Sequence, residues 1–245
     1  LPVFTLAQNE DKYGTTDVQR TLCKEALSVY KNYKKQKDYA EAYQQWEKAC
    51  EICPDGVQES LYADGATLLK AELKVAKQAG DDARQALLVD SLMWVYDMRM
   101  ELFPATKKKP NNRCHVLGRK ASDFSNYFKN EPQAAFEMFA ECVECLQGSS
   151  SATVLSKYYS TGLKTMVAIN KENKEAGLEM KARLLTDFLM LMDYADQAIA
   201  ASAGNEKAIT NYESAKTTIR SNFNKMADCE DMIPILTSRI EANPN

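Results

Sequence analysis

Apolar residues along this chain return at three- and four-residue steps, the period of an amphipathic helix, and alternating strand patterns with turn dipeptides are missing. The pattern predicts an all-α protein. A polar tail to about Thr16 leads into a helix capped by Asp17 and running to about Lys37, with Leu22, Cys23, Ala26, Leu27, Tyr30 and Tyr33 on its apolar side. The next stretch, DYAEAYQQWEKACEICP from Asp38 to Pro54, places Tyr39, Ala42, Tyr43, Trp46, Ala49, Cys50 and Cys53 on one face. Asp38 is its N-cap, Glu41 completes a capping-box signature, and Pro54 pushes Cys53 out of the helical region. The two helices predict an antiparallel hairpin.

Further helices are expected over about Gly56–Ala79, with Leu61, Leu68, Leu69, Leu73 and Val75 inward, and from the Gly80-Asp81-Asp82 break to Phe103, with Leu88, Leu92, Val95, Tyr96 and Leu102 inward. A basic loop, Lys107 to Asn112, precedes a helix over about Arg113–Lys129, and Pro132 suits the first turn of the next. That helix stops at Gln147-Gly148 before a serine-rich loop. Two long helices, about Thr153–Lys171 and Lys174–Ala203, and a last pair, about Glu206–Ala227 and Glu230–Ala242, complete the chain. Pro234 predicts a late start or a kink in the final helix.

The alanine, the aromatic four residues on and the closing proline in Ala42, Trp46 and Pro54, with Ala49 as a second small position, resemble the second helix of a tetratricopeptide (TPR) repeat. Leu92, Tyr96 and Pro104 repeat the spacing, Ala135 and Phe139 (with Cys142 in the second small position) restore the alanine–aromatic step, and Met232, Leu236 and Pro244 return to it. In the first helix Tyr33 matches, whereas Ala26, Val29 and Tyr30 stand where the repeat has tryptophan, leucine and glycine. The resemblance implies a TPR-like right-handed superhelix of about five antiparallel hairpins over residues 17–245, with Ala42, Trp46, Ala49, Pro54, Leu92, Tyr96, Ala135, Phe139 and Leu236 as its repeat-defining core.

Composition narrows this little. Over 245 residues, 45% hydrophobic and 27% charged content is that of a folded domain, and a net charge of −3 provides no general attraction for nucleic acid. No stretch reaches the roughly 20 apolar residues of a membrane span. Leu1 to Gln8 reads as the end of a secretory signal peptide, with residues 1–16 a remnant and tail. Export would allow disulfides among the seven cysteines. Cys23 starts the first helix and Cys53 ends its antiparallel partner, so a Cys23–Cys53 bond is expected in an exported chain. Cys229 could pair beyond Asn245.

Leu22-Cys23 with Ser28-Val29-Tyr30, Trp46, Cys53-Pro54, Val89 to Met93 with Tyr96, Asp97 and Arg99, Leu117 to Lys120, Phe223 and Cys229 together resemble secreted TPR proteins of Bacteroides-type bacteria. This resemblance implies a periplasmic or envelope location, a chain continuing past Asn245 and no catalytic residues.

Two CxxC matches, Cys50/Cys53 and Cys142/Cys145, raise metal or redox chemistry. A zinc site needs four converging sulfurs, and a redox pair gains thiolate character at a helix N-terminus, whereas these lie near helix C-termini. They read as small apolar core positions. His115 is the only histidine, so a Ser/Cys–His–acid triad would need it as the base; a capping or surface role is favoured. No phosphate loop, HExxH or EF-hand loop occurs. No catalytic, metal or cofactor site is expected.

The expected function is a protein-interaction scaffold. Lys24, Leu27, Lys31, Lys34 and Lys35 should face the groove of the first repeat with a basic rim, the competing reading being solvated lysines. A glycan- or nutrient-binding envelope protein is the second class; an enzyme on a helical array is the third. The partner and the oligomeric state are left open.

Overall fold

The computed structural model describes residues 11–228, 230, 231 and 233. Expectations on Leu1 to Gln8, Cys229, Met232, Pro234, Leu236 and Pro244 lie outside the described residues. The described chain is all-α: α1 (Asp17–Gln36), α2 (Tyr39–Ile52), α3 (Glu59–Ala79), α4 (Asp82–Leu102), α5 (Asn112–Tyr127), α6 (Pro132–Leu146), α7 (Ala152–Glu172), α8 (Lys174–Ala201) and α9 (Glu206–Phe223). No helix among the described residues is long and apolar enough to cross a membrane. The chain divides into two compact units, Leu1–Val116 and Leu117–Asn245.

In the first unit α1 packs on α2, α2 on α3 and α3 on α4. Local chemistry sets the boundaries. Thr16, not Asp17, caps α1, its hydroxyl accepting from the Gln19 amide; Asp17 is the first helical residue, where its charge still favours the dipole. Asp38 caps α2 through the Glu41 amide, as expected. The reciprocal half of a capping box is not used, because the Asp38 N–H donates to the Tyr33 carbonyl at the end of α1. Gly80 ends α3 in the left-handed region (φ +69°), and Asp81 then caps α4 through the Arg84 amide.

The helical stripes hold Cys23, Leu27 and Tyr30 of α1, Ala42, Trp46 and Ala49 of α2, Leu61, Leu68, Leu69 and Leu73 of α3, and Leu88, Leu92, Val95 and Tyr96 of α4 in the core. Three predicted inward residues point out instead. Leu22 is 46% exposed, Tyr39 is exposed at the first turn of α2, and Val75 is 56% exposed. Leu22 and Val75 each sit one position off the stripe that their helix buries, a rotation of 100° that an apolar count cannot see.

The second unit packs α6 on α7 and α7 on α8, with α9 against both. Ala135, Phe136, Phe139, Cys142 and Val143 of α6 meet Leu155, Tyr158 and Tyr159 of α7 and Leu184, Phe188 and Leu191 of α8 in its core. Pro132 opens α6 at its first turn, as its sequence position implies.

Candidate interaction surface

The first-repeat lysines do not stand open as a groove. Leu27 is 5% exposed and belongs to the Cys23–Leu27–Tyr30 core stripe, which corrects its placement in a groove. Lys31 donates to Gln58 Oε1 at 2.9 Å, and Lys34 is ion-paired with Asp64. The Lys24 ammonium lies 5.1 Å from the Tyr13 ring centre. Lys35 is exposed. Gln58, just before α3, and Asp64 of α3 thus take up two of the four lysines, Lys31 and Lys34.

The repeat positions are structural. Ala42, Trp46, Ala49, Leu92, Tyr96, Ala135 and Phe139 are all buried, while Pro54 is half-buried just after α2. The Trp46 ring lies over Gly65 of α3, where an added Cβ would come within 2.7 Å of Cε2. Its Nε1–H donates to the Leu61 carbonyl at 2.8 Å, so the one polar atom of the buried indole is satisfied.

Each CxxC keeps one thiol and has its other sulfur in a disulfide. Cys53 is bonded to Cys23, with Cα atoms 4.9 Å apart. Cys145 is disulfide-bonded as well, so it is not the plain core position expected. Cys50 and Cys142 keep free thiols, and burial pushes them up to about 12 and about 11. Such thiols stay protonated and are poor nucleophiles. Among the described residues no group of three or more His, Cys, Asp or Glu could hold a metal ion. His115 is exposed in the first turn of α5.

The loop from Phe103 to Asn111 is pinned by one carboxylate. Glu59 at the start of α3 accepts from Arg99 Nε (3.0 Å) and Nη2 (2.7 Å), Lys109 Nζ (2.8 Å) and Asn112 Nδ2 (3.0 Å). Burial alone would raise this acid, but the Lys109, Arg99 and Asn112 hydrogen bonds outweigh it and hold Glu59 at about 2. Lys109 of the basic loop is thereby an internal anchor.

An outward apolar row on α4 escaped the sequence reading. Leu87 (69% exposed), Ser91, Trp94 (44% exposed) and Met98 follow one another at four-, three- and four-residue steps. Asp90, Asp97 and Glu101, each three residues after Leu87, Trp94 and Met98, form an exposed acidic row beside it. The signal was present: α4 is apolar on more than the one face its Leu88–Leu92–Val95 stripe needs. Set against known protein families, curated proteins and solved structures, the chain matches none of them.

Proposed function

We propose that this chain is a non-enzymatic protein-interaction scaffold of TPR-like helical hairpins, acting outside the cytoplasm. The observation that carries this reading is the α4 surface, a half-exposed tryptophan and an exposed leucine in one row with acidic side chains along its edge. Tryptophan in such a position is the residue type that most often dominates binding energy at protein interfaces. The acidic edge selects the occupant: a partner protein presenting an apolar strip flanked by lysine or arginine. The disulfides support an oxidising compartment.

The test is affinity capture from an envelope extract of the native host with the wild type and Leu87→Asp/Trp94→Asp side by side. Captured proteins are identified, purified and titrated back against both. The expected result is a partner that binds the wild type, weakens as salt is raised, and loses roughly 100-fold or more in affinity with the double variant. Equal binding by a double variant of unchanged melting temperature would remove the α4 surface from the proposal.

A further inference from the structure

The second unit contains a cleft of about 250 Å³ between α6, α7 and α8, remote in character from the apolar row of α4. Helix α8 presents Arg183, Asp187, Met190 and Tyr194 to it at four-, three- and four-residue steps, so one stripe of one helix forms a wall. Tyr158 enters from α7 and Glu144 from the last turns of α6.

The charges in this cleft are already matched to each other. The Asp187 carboxylate accepts a 2.5 Å hydrogen bond from the Tyr158 hydroxyl and lies 3.5 Å from Arg183 Nε. The Arg183 guanidinium is held in turn 4.7 Å from the centre of the Phe136 ring. A simple anion would meet two carboxylates here, and a simple cation would meet a guanidinium. A zwitterion requires its two poles to be open, whereas Arg183 and Asp187 neutralise one another. What stays available is the set of lone pairs and N–H groups that the contacts among Arg183, Asp187 and Tyr158 leave unused. Arg183 is half exposed and supplies donors; Asp187 and Glu144 supply acceptors. Beside them lie the apolar surfaces of Met190 and the half-buried Tyr194 ring.

A ligand that fits is uncharged, carries donors and acceptors on adjacent atoms, and has an apolar face. We infer that the cleft is a binding site for a single neutral sugar ring. Arg183 and Asp187 receive its neighbouring hydroxyls, and Tyr194 lies against its carbon–hydrogen face. The size agrees with one ring, since clefts for drug-sized ligands run to about 300–1,000 Å³. This site does not depend on the α4 surface, and the two can fail separately.

Saturation-transfer NMR on the intact chain tests it, with glucose, galactose, mannose and N-acetylglucosamine as probes and free lysine and glutamate as charged controls. Transfer is expected to at least one neutral sugar and to neither control. Tyr194→Ala and Asp187→Asn should each weaken that binding about ten-fold, the scale of one lost stacking surface or charged hydrogen bond. Tyr212→Phe, which removes only a hydroxyl donating to the Ser150 carbonyl, should leave it unchanged. Melting curves of the variants exclude unfolding as the cause. Transfer to none of the sugars, transfer to a charged control alone, or sugar binding untouched by both cleft variants in folded protein would each overturn the assignment.

Discussion

Helices α2 and α6 carry the same string of signals, an alanine, an aromatic residue four positions on and a CxxC near the end, yet the side chain that locks each to the following helix comes from a different position. In α2 it is the aromatic of the matched step: Trp46 lies on Gly65 of α3 and donates to the Leu61 carbonyl. In α6 the matched aromatic, Phe139, is fully buried, but the ring that meets the glycine of the next helix is Phe136, where a Cβ on Gly162 would come within 2.9 Å of its Cε2. The free thiol of α6, Cys142, meets a glycine of its own, Gly118 of α5. Spacing along one helix marks which face is inward. Which residue on that face fills a neighbour's notch depends on where the neighbour has no Cβ.

The largest test of the contrast is Trp46→Ala, expected to cost roughly 3–5 kcal/mol by leaving a cavity and removing the indole hydrogen bond to the Leu61 carbonyl. Urea unfolding followed by Trp94 fluorescence reads it, since both tryptophans lie in the first unit. A variant melting like the wild type would refute the notch. Replacing Cys23 and Cys53 together by alanine should cost roughly 3–4 kcal/mol in the chain-entropy picture, measured in the same way. No change in midpoint would make that bond dispensable.

Gly65→Ala should cost about 1–3 kcal/mol through overlap with the indole. Combining it with Trp46→Phe should cost less than the sum of the two. Additive losses would mean that the ring and the glycine are not coupled.

Acid should separate the units next. The Glu59 carboxyl is held at about 2 against an ordinary 4.5. Its contribution is therefore complete above pH 4.5 and is lost as pH falls through about 2. Tryptophan-monitored stability of the first unit should decline over that window, and Glu59→Gln should flatten the decline while lowering stability at neutral pH. An unchanged slope in that variant would assign the acid sensitivity elsewhere. The smallest effect is chemical. Without reductant, Cys50, which is partly exposed, should alkylate slowly and faster as pH rises toward about 12, and buried Cys142 only on unfolding. Modification of all seven cysteines in the unreduced protein would rule out the disulfides.

Much of the architecture could be read beforehand because it rests on local rules. Asp38, Gly80, Asp81 and Pro132 mark helix ends by their own backbone chemistry, and the spans of α2, α7 and α8 lie within about two residues of those expected. The pairing of Cys23 with Cys53 was legible for a related reason, since both ends of an antiparallel hairpin are known once its two helices are. Functional surfaces were not legible in the same way. Lys31 and Lys34 looked like a rim until α3 brought Gln58 and Asp64 against them. Leu87 and Trp94 lie off the Leu88–Leu92–Val95 stripe, and only the packing of α4 shows that they are left exposed.

By itself the sequence determined the all-α class, the helix ends, the small and aromatic residues that make the core, and the hairpin that joins Cys23 to Cys53, because each follows from periodicity and capping within a few tens of residues. Only the tertiary structure decided that Cys145 is oxidised while Cys142 is not, which glycine receives Trp46 or Phe136, and that Arg183, Asp187 and Tyr158 meet in one cleft. Those outcomes depend on rotations of about 100° per residue and on neighbours remote in the chain, which a one-dimensional pattern does not encode.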